Sequence, residues 1–327
     1  MTSFIARRLV SMIVTLALVS VVGFIIINLP PGSYIDVYRA ELMMLGTSTA
    51  EQQIQALEKR YGLDKPLYYQ FLKWISGFVR GDFGRSFQYN REVSELIWNR
   101  LGFTVVVSVC SLIFSWVVAI PIGIYSATHK YSVADNLFTF MSFIGLSVPR
   151  FLIALVLMVV SSQVFGISVG GLFSRAYEDA PWSWAKFVDF LQHLWIPVMI
   201  VGLSDTASLV RMMRGNLSDI LNMQYVQTAR AKGLSERLVI YKHAVRNAIH
   251  PLIMSLGMSM PGIISGSTVV SIVLSLPTVG PLYFNALRAQ DMFLAGTVLM
   301  FMAIMLVIGN FLADIALALV DPRIRYE

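Results

Sequence analysis

Two charged residues sit where charge is costly. Arg150 falls in "LSVPRFLIAL" and Asp205 in "VGLSDTASLV", both otherwise apolar stretches. An unpaired charge near the centre of a bilayer costs at least a few kcal/mol, so each must face a partner or a wet cavity. Arg150 and Asp205 are therefore expected either to pair with each other or to line a wet path through the apolar layer. A second constellation is polar and basic. The stretch "MQYVQTARAKGLSERLVIYKHAVRNAIHP", Met223 to Pro251, carries Arg230, Lys232, Arg237, Lys242 and Arg246 against Glu236 as its only acid, with Gly233 its only glycine.

Catalytic groupings are missing from the sequence. A phosphate-binding loop needs Gly-Lys followed by Ser or Thr, and no lysine here is followed by either. His129, His193, His243 and His250 are scattered, and no dense His/Asp/Glu metal constellation accompanies them. Cys110 is the only cysteine, which excludes an intramolecular disulfide and a cysteine metal cluster. The chain is thus expected to bind no cofactor of its own and to have no catalytic residue.

Composition says where these residues must be held. Of 327 residues, 56% are hydrophobic and 13% charged, whereas soluble domains are nearer a quarter charged. Mean hydropathy is +0.68, so too little polar surface remains to cover a water-soluble globule. The net charge of +6 fits basic residues at a membrane surface better than a nucleic-acid ligand.

A spanning helix needs about twenty apolar residues. Six stretches qualify: Leu9–Leu29, Val105–Tyr125, Leu137–Val160, Leu194–Val210, Leu252–Val273 and Phe293–Val320. The first follows Arg7 and Arg8, exceeds a signal-peptide core in length and lacks a small-residue cleavage site, so an uncleaved span is expected. Short-loop cations fix the orientation. With six spans, Arg7/Arg8, His129/Lys130, the basic segment and Arg323/Arg325 all fall on one side, which predicts cytoplasmic termini. Arg175 and Lys186 on the other side are offset by Glu178, Asp179 and Asp189, and Arg288 by Asp291. Pro149 and Pro261 are expected to kink or open spans three and five.

Two regions follow: residues 1–100, the first span plus an extracytoplasmic helical insertion, and residues 101–327, a five-helix core. In the insertion, Ile54, Leu57 and Tyr61 have helical spacing before Gly62, a second helix fits Leu67 to Val79 after Pro66, and "GDFGRSF" reads as a turn before an approach helix near Val93–Leu101. The insertion is either a solvated cap or a docking surface.

The basic segment reads as helix, turn, helix. Met223 to Lys232 are good helix formers, and Gly233 suits the left-handed position that ends a helix. Ser235 is expected to cap a second helix with Glu236 in its first turn. Leu238, Tyr241, Val245, Ala248 and Ile249 share a face at three-to-four spacing. An amphipathic helix lying on lipid has no need of the glycine turn, whereas one inserting into a groove does.

The stretch "YVQTARAKGLSERLVIYKHAVRNAIHP" resembles the EAA loop of ABC importer permeases, in the form found in dipeptide and oligopeptide permeases. "ARRL" before span one, "PPG" after it, "RYGLDKPLYYQFLKWISGFVRGDFGRSF" and the final "LVDPRIRY" resemble the same family, first-permease type. The resemblance implies an all-α membrane protein of type I importer fold, with six spans and a large outer loop after the first. It implies a second permease, two cytoplasmic ATPases that carry ATP and Mg, and an extracytoplasmic binding protein, in a bacterial inner membrane. It makes 223–251 the coupling loop and Ala229, Arg230, Ala231, Lys232, Gly233, Leu234, Ser235 and Glu236 the ATPase-coupling residues. Gln224 and Gln227 depart from the family, which has glutamate at such places. In "SLPTVGPLYFNAL" Thr278 replaces a common glycine and Pro281 intrudes, in what resembles an outer gate element. The family's substrates include oligopeptides, nickel chelates, opines and oligosaccharides; oligopeptide is the first expectation and an oligosaccharide or opine the alternative. A channel or secondary transporter would leave the glycine-broken segment unexplained.

Overall fold

A computed structural model of the chain describes residues 2–29, 54–55, 59, 62, 64–165 and 170–320, without the side chains of 2–4, 165, 257–266 and 316–320. The first insertion helix around Leu57 and Tyr61, the "PPG" element, and Arg323 and Arg325 lie outside the described residues. Apart from an isolated antiparallel bridge between Arg85 and Glu92, the described residues hold no strand. The long elements are α1 Thr2–Asn28, α2 Leu67–Arg80, α3 Val93–Thr128, α4 Val133–Ser147, α5 Arg150–Phe165 and α6 Trp184–Leu221. They continue with α7 Gln224–Ala231, α8 Glu236–Leu238, a π-helical turn Val239–Ala244, α9 Val245–Ala248, α10 His250–Val273, α11 Val279–Arg288 and α12 Met292–Val320.

Among the described residues, four helices are long and apolar enough to cross a bilayer alone: α1, α3, α6 and α12. The sequence predicts one span through Leu137–Val160, but the structure breaks it. Helix α4 stops at Ser147, α5 starts at Arg150, and their axes differ by 101°. The cause is Pro149, which lacks an N–H and disfavours helical geometry at the residue before it; Val148 is extended, with φ −87° and ψ 124°. Position 261 does not behave this way, because α10 runs through it without interruption. Nor is there a separate approach helix near Val93–Leu101, since that turn is the start of the 36-residue α3.

The chain divides into two compact units, Phe103–Gly280 with Ile308–Glu327, and Thr2–Gly102 with Pro281–Val307. In the second unit, α2 ends where Gly81 enters the left-handed region at φ +81°. Its Phe71, Trp74 and Phe78 meet Phe24 of α1 and Phe301 of α12 ring to ring at 5.4–6.3 Å. Fully buried Asp291 caps α12 by accepting from the Leu294 amide at 3.2 Å. Its other oxygen takes the Ser86 hydroxyl at 2.6 Å and the Gln88 amide at 3.1 Å, so the carboxylate serves the loop rather than Arg288.

The other unit is organised on α6. Ser183 caps it by accepting from the Lys186 amide at 3.2 Å. Two glycine contacts set its approach to α3: a Cβ on Gly123 would lie 2.6 Å from Cβ of Met213, and one on Gly202 would lie 2.8 Å from Ser115 Oγ. That hydroxyl donates to the Gly202 carbonyl at 2.9 Å, the small-residue contact by which apolar helices approach closely. Two apolar clusters result. One joins Val107, Ala154, Leu172, Phe190, Val201 and Leu274. The other joins Ala119, Met213 and Leu217 to Val226, Ala229, Val239, Ala244, Ala248 and Leu252.

Candidate functional site

Both sides of the α4–α5 break rest on two neighbouring residues of α6. The last carbonyls of a helix have no partner within it, and at the end of α4 Ser204 Oγ donates to the Gly145 carbonyl at 3.0 Å. On the far side Asp205 Oδ1 accepts from Arg150 Nη2 at 3.1 Å. A Cβ on Gly145 would fall 3.1 Å from that of Ala207, so α4 lies close against α6 here. The two charged residues singled out by sequence thus meet, but the pair is single-armed. Arg150 Nη1 and Asp205 Oδ2 are buried and have no hydrogen-bond partner among the described residues.

The basic segment is built on a Schellman turn. Helix α7 runs one residue short of expectation at each end, and Gly233 follows it with φ +76°. Its amide donates to the Arg230 carbonyl at 2.9 Å and the Leu234 amide to that of Ala229 at 3.4 Å, the two bonds of that motif. Nothing lies within 4 Å of a Cβ built on Gly233, so only the backbone conformation demands glycine. Arg230 closes the turn from outside: Nε donates to Glu236 Oε2 at 3.0 Å and Nη2 to Oε1. These hydrogen bonds hold the Glu236 carboxyl below its ordinary pKa and the Arg230 guanidinium above its own. Gln227 and Arg230 both donate to the Leu221 carbonyl at the end of α6, at 3.2 and 3.4 Å. That role needs a donor, which glutamine has and an ionised glutamate lacks.

Two expectations for this segment are corrected. Ser235 occupies the capping position with extended backbone, but its hydroxyl accepts no capping bond; Glu236 is drawn instead to Arg230. The buried stripe is Val239, Ala244, Ala248 and Leu252, all fully buried, while Leu238 and Tyr241 are 40% and 57% exposed. The π turn is the reason. It widens one turn by a residue, so the core positions step by five and then by four. A uniform 3.6-residue period rightly puts Val245, Ala248 and Ile249 on the cluster but misplaces Leu238 and Tyr241, ahead of the turn's end. Of the eight coupling candidates, Ala229 is buried, Arg230 and Leu234 are half-buried, and Ala231, Lys232, Gly233, Ser235 and Glu236 are exposed. Leu234 packs on the cluster with Val226, Val239 and Met213. Outside, Ser235, Arg237, Leu238, Tyr241 and Lys242 line an open hollow of about 410 Å³.

A third pair escaped the sequence reading. Fully buried Asp135 accepts from Arg214 Nε at 2.7 Å and Nη2 at 2.9 Å, one oxygen each. It also takes the Tyr131 amide at 2.9 Å, which holds Tyr131 at φ +64°. Asp135 therefore ties the α3–α4 loop and the first turn of α4 to α6, nine residues before the basic segment begins at Met223. Its one sequence signal is its place three residues after Ser132, whose hydroxyl accepts from the Asp135 amide.

The family model described as "Binding-protein-dependent transport system inner membrane component" matches residues 119–326, and its N-terminal companion matches residues 1–108. The chain is 37% identical to the oligopeptide transport system permease protein AppB of Bacillus subtilis over 328 residues, covering 100% of both. It is 30% identical to the glutathione transport system permease protein GsiC of Escherichia coli K12 over 327 residues, again covering 100% of both. The chain is thus a multi-pass permease subunit, and it belongs to the family of inner membrane components of binding-protein-dependent ABC importers.

Proposed function

We propose that this permease subunit imports peptides, and that residues 223–251 are the surface through which two cytoplasmic ATPases drive it. The observation that carries the reading is the two-sided build of that segment. Val226, Ala229, Val239, Ala244 and Ala248 are buried in one cluster with Met213 and Leu217 of α6, while Leu238 and Tyr241 stay exposed beside Arg237 and Lys242. Large apolar side chains held outward on a fixed basic element call for a partner surface. Because α6 leads into the segment and α10 out of it, a push on the segment passes to two long helices at once. Arg150, where the α4–α5 break meets Asp205 of α6, then belongs to the pathway that this motion opens.

In this reading α4 and α5 together form one broken span and α10 another, which with α1, α3, α6 and α12 makes six, both termini cytoplasmic. A second related permease completes the pathway, an extracytoplasmic binding protein delivers solute, and ATP and Mg stay on the ATPases. The peptide assignment is supported by the names of the relatives, oligopeptide and glutathione permeases. The test is to purify the assembled transporter carrying Tyr241→Cys, label that thiol with a maleimide–benzophenone reagent and irradiate it, which needs no thiol on the partner. A cross-link to a co-purifying ATPase is expected. ATP-independent uphill uptake by the purified chain, or labelling of position 241 only from outside the cell, would end the proposal.

A further inference from the structure

We propose that the α4–α5 break binds the charged ends of a zwitterionic solute, its carboxylate taken by Arg150 and its ammonium by Asp205. This rests on the importer reading above and names the chemistry of its pathway. The first argument is the unfinished state of the pair. Arginine and carboxylate pair best through two parallel bonds, yet here one bond is made, and Arg150 Nη1 and Asp205 Oδ2 are left buried without partners among the described residues. In an apolar surround an unmet donor and acceptor are each costly.

The second argument is an internal control. Helix α6 also carries a second pair, its Arg214 with Asp135 of α4, which is complete: both carboxylate oxygens receive an arm of the guanidinium, and a backbone amide is added. A fold that finishes the pair between α4 and α6 leaves the one between α5 and α6, at the break, half made. The third argument is electrostatic. Amides at the start of α5 favour an anion beside Arg150, and carbonyls at the end of α4 favour a cation. A zwitterion would replace one internal pair by two solute pairs. Every charge keeps an opposite partner, and no net charge enters the site.

The experiment uses the assembled transporter with its own binding protein in proteoliposomes. ATP-driven uptake is compared for trialanine, its C-terminal amide and its N-acetyl form. The binding protein is the same throughout, so its own preference cancels when variants are compared as ratios. Arg150→Gln should reduce the preference for trialanine over the amide about tenfold, one hydrogen-bonded charge pair's worth, and leave the preference over the N-acetyl form unchanged. Asp205→Asn should do the reverse. Should either single variant fail to assemble by size-exclusion chromatography, the apolar double variant Arg150→Met/Asp205→Leu decides: loss of both preferences supports the site, and wild-type preferences overturn it. Uniformly reduced uptake with unchanged ratios also overturns it, leaving a structural pair. Import restricted to uncharged solutes overturns it while the importer reading stands. No ATP-driven import of any solute removes the importer reading itself.

Discussion

Arg230 and Glu236 meet across the Gly233 turn, six residues apart, with two guanidinium nitrogens on two carboxylate oxygens. The pair is exposed, 34% and 55% at the side chains, and an exposed pair contributes roughly 0–1 kcal/mol. Its importance is local: it holds the end of α7 against the start of α8 while the Schellman bonds hold the backbone. Because the Glu236 pKa is depressed by Arg230, the pair's contribution is complete above the carboxyl's unfolded pKa and is lost as pH falls through the lowered value. At neutral pH it is fully present. Glu236→Gln should therefore speed hydrogen exchange at the Gly233 and Leu234 amides at pH 7, and the wild type should approach the variant only in acid. Equal exchange at pH 7 would show that the turn does not depend on the pair.

Gly233 is a conformational requirement without a steric one. A left-handed backbone costs an L-residue about 1–2 kcal/mol, and asparagine tolerates it best among non-glycine residues. With no atom within 4 Å of the position, the order of stability should be Gly, then Asn, then Ala, then Val. ATP hydrolysed per solute imported should rise in the same order while membrane insertion is unaffected. A variant series that follows side-chain volume rather than left-handed propensity would point to a contact with a partner instead.

The Asp135–Arg214 pair makes a sharper prediction. Removing one member of a fully buried pair costs about 3–5 kcal/mol, but the Arg214 side chain is 31% exposed and can be met by water, so the loss here should fall below that range. Asp135→Asn should still lower the melting temperature of the detergent-solubilised protein. Arg214→Lys should not preserve stability, because an ammonium cannot serve both carboxylate oxygens in the same plane. The double variant Asp135→Leu/Arg214→Met should be less damaging than Asp135→Asn. Additive losses in the double would show that the two residues act separately.

What the sequence made legible, and what it hid, divides by distance along the chain. Gly233, Pro149 and the long apolar helices announce themselves because their causes are local: a left-handed turn, a missing N–H, a run of apolar residues. The meeting of Arg150 and Asp205 was legible as one of two options, since charge in an apolar stretch demands compensation. Asp135 and Arg214 were not legible, because 79 residues separate them and each has a local excuse, one as a first-turn acid and the other as a cation near a basic segment. The exposed positions of Leu238 and Tyr241 were hidden by the π turn. No composition signal marks that turn, so a helical period fitted across it is right for Val245, Ala248 and Ile249 and wrong for the two residues before them.

Glycines in α3 and α6 allow the packing to be tested by contrast. Gly123 and Gly202 face neighbours that a Cβ would meet at 2.6 and 2.8 Å, whereas Gly215 faces nothing within 4 Å. Glycine inside a helix is about 1 kcal/mol less favourable than alanine. Gly215→Ala should therefore stabilise by about that amount, visible as a higher melting temperature. Gly123→Ala meets the Cβ of Met213, an atom fixed to its backbone that cannot rotate away, so α3 and α6 must separate there. Overpacking of this kind costs about 1–3 kcal/mol, which exceeds the helical gain and reverses the sign. Gly202→Ala presses on the Ser115 hydroxyl, which also bonds the Gly202 carbonyl, and should be destabilising too. If all three substitutions stabilise alike, helix propensity alone governs these positions and the close α3–α6 approach is not a determinant of the fold.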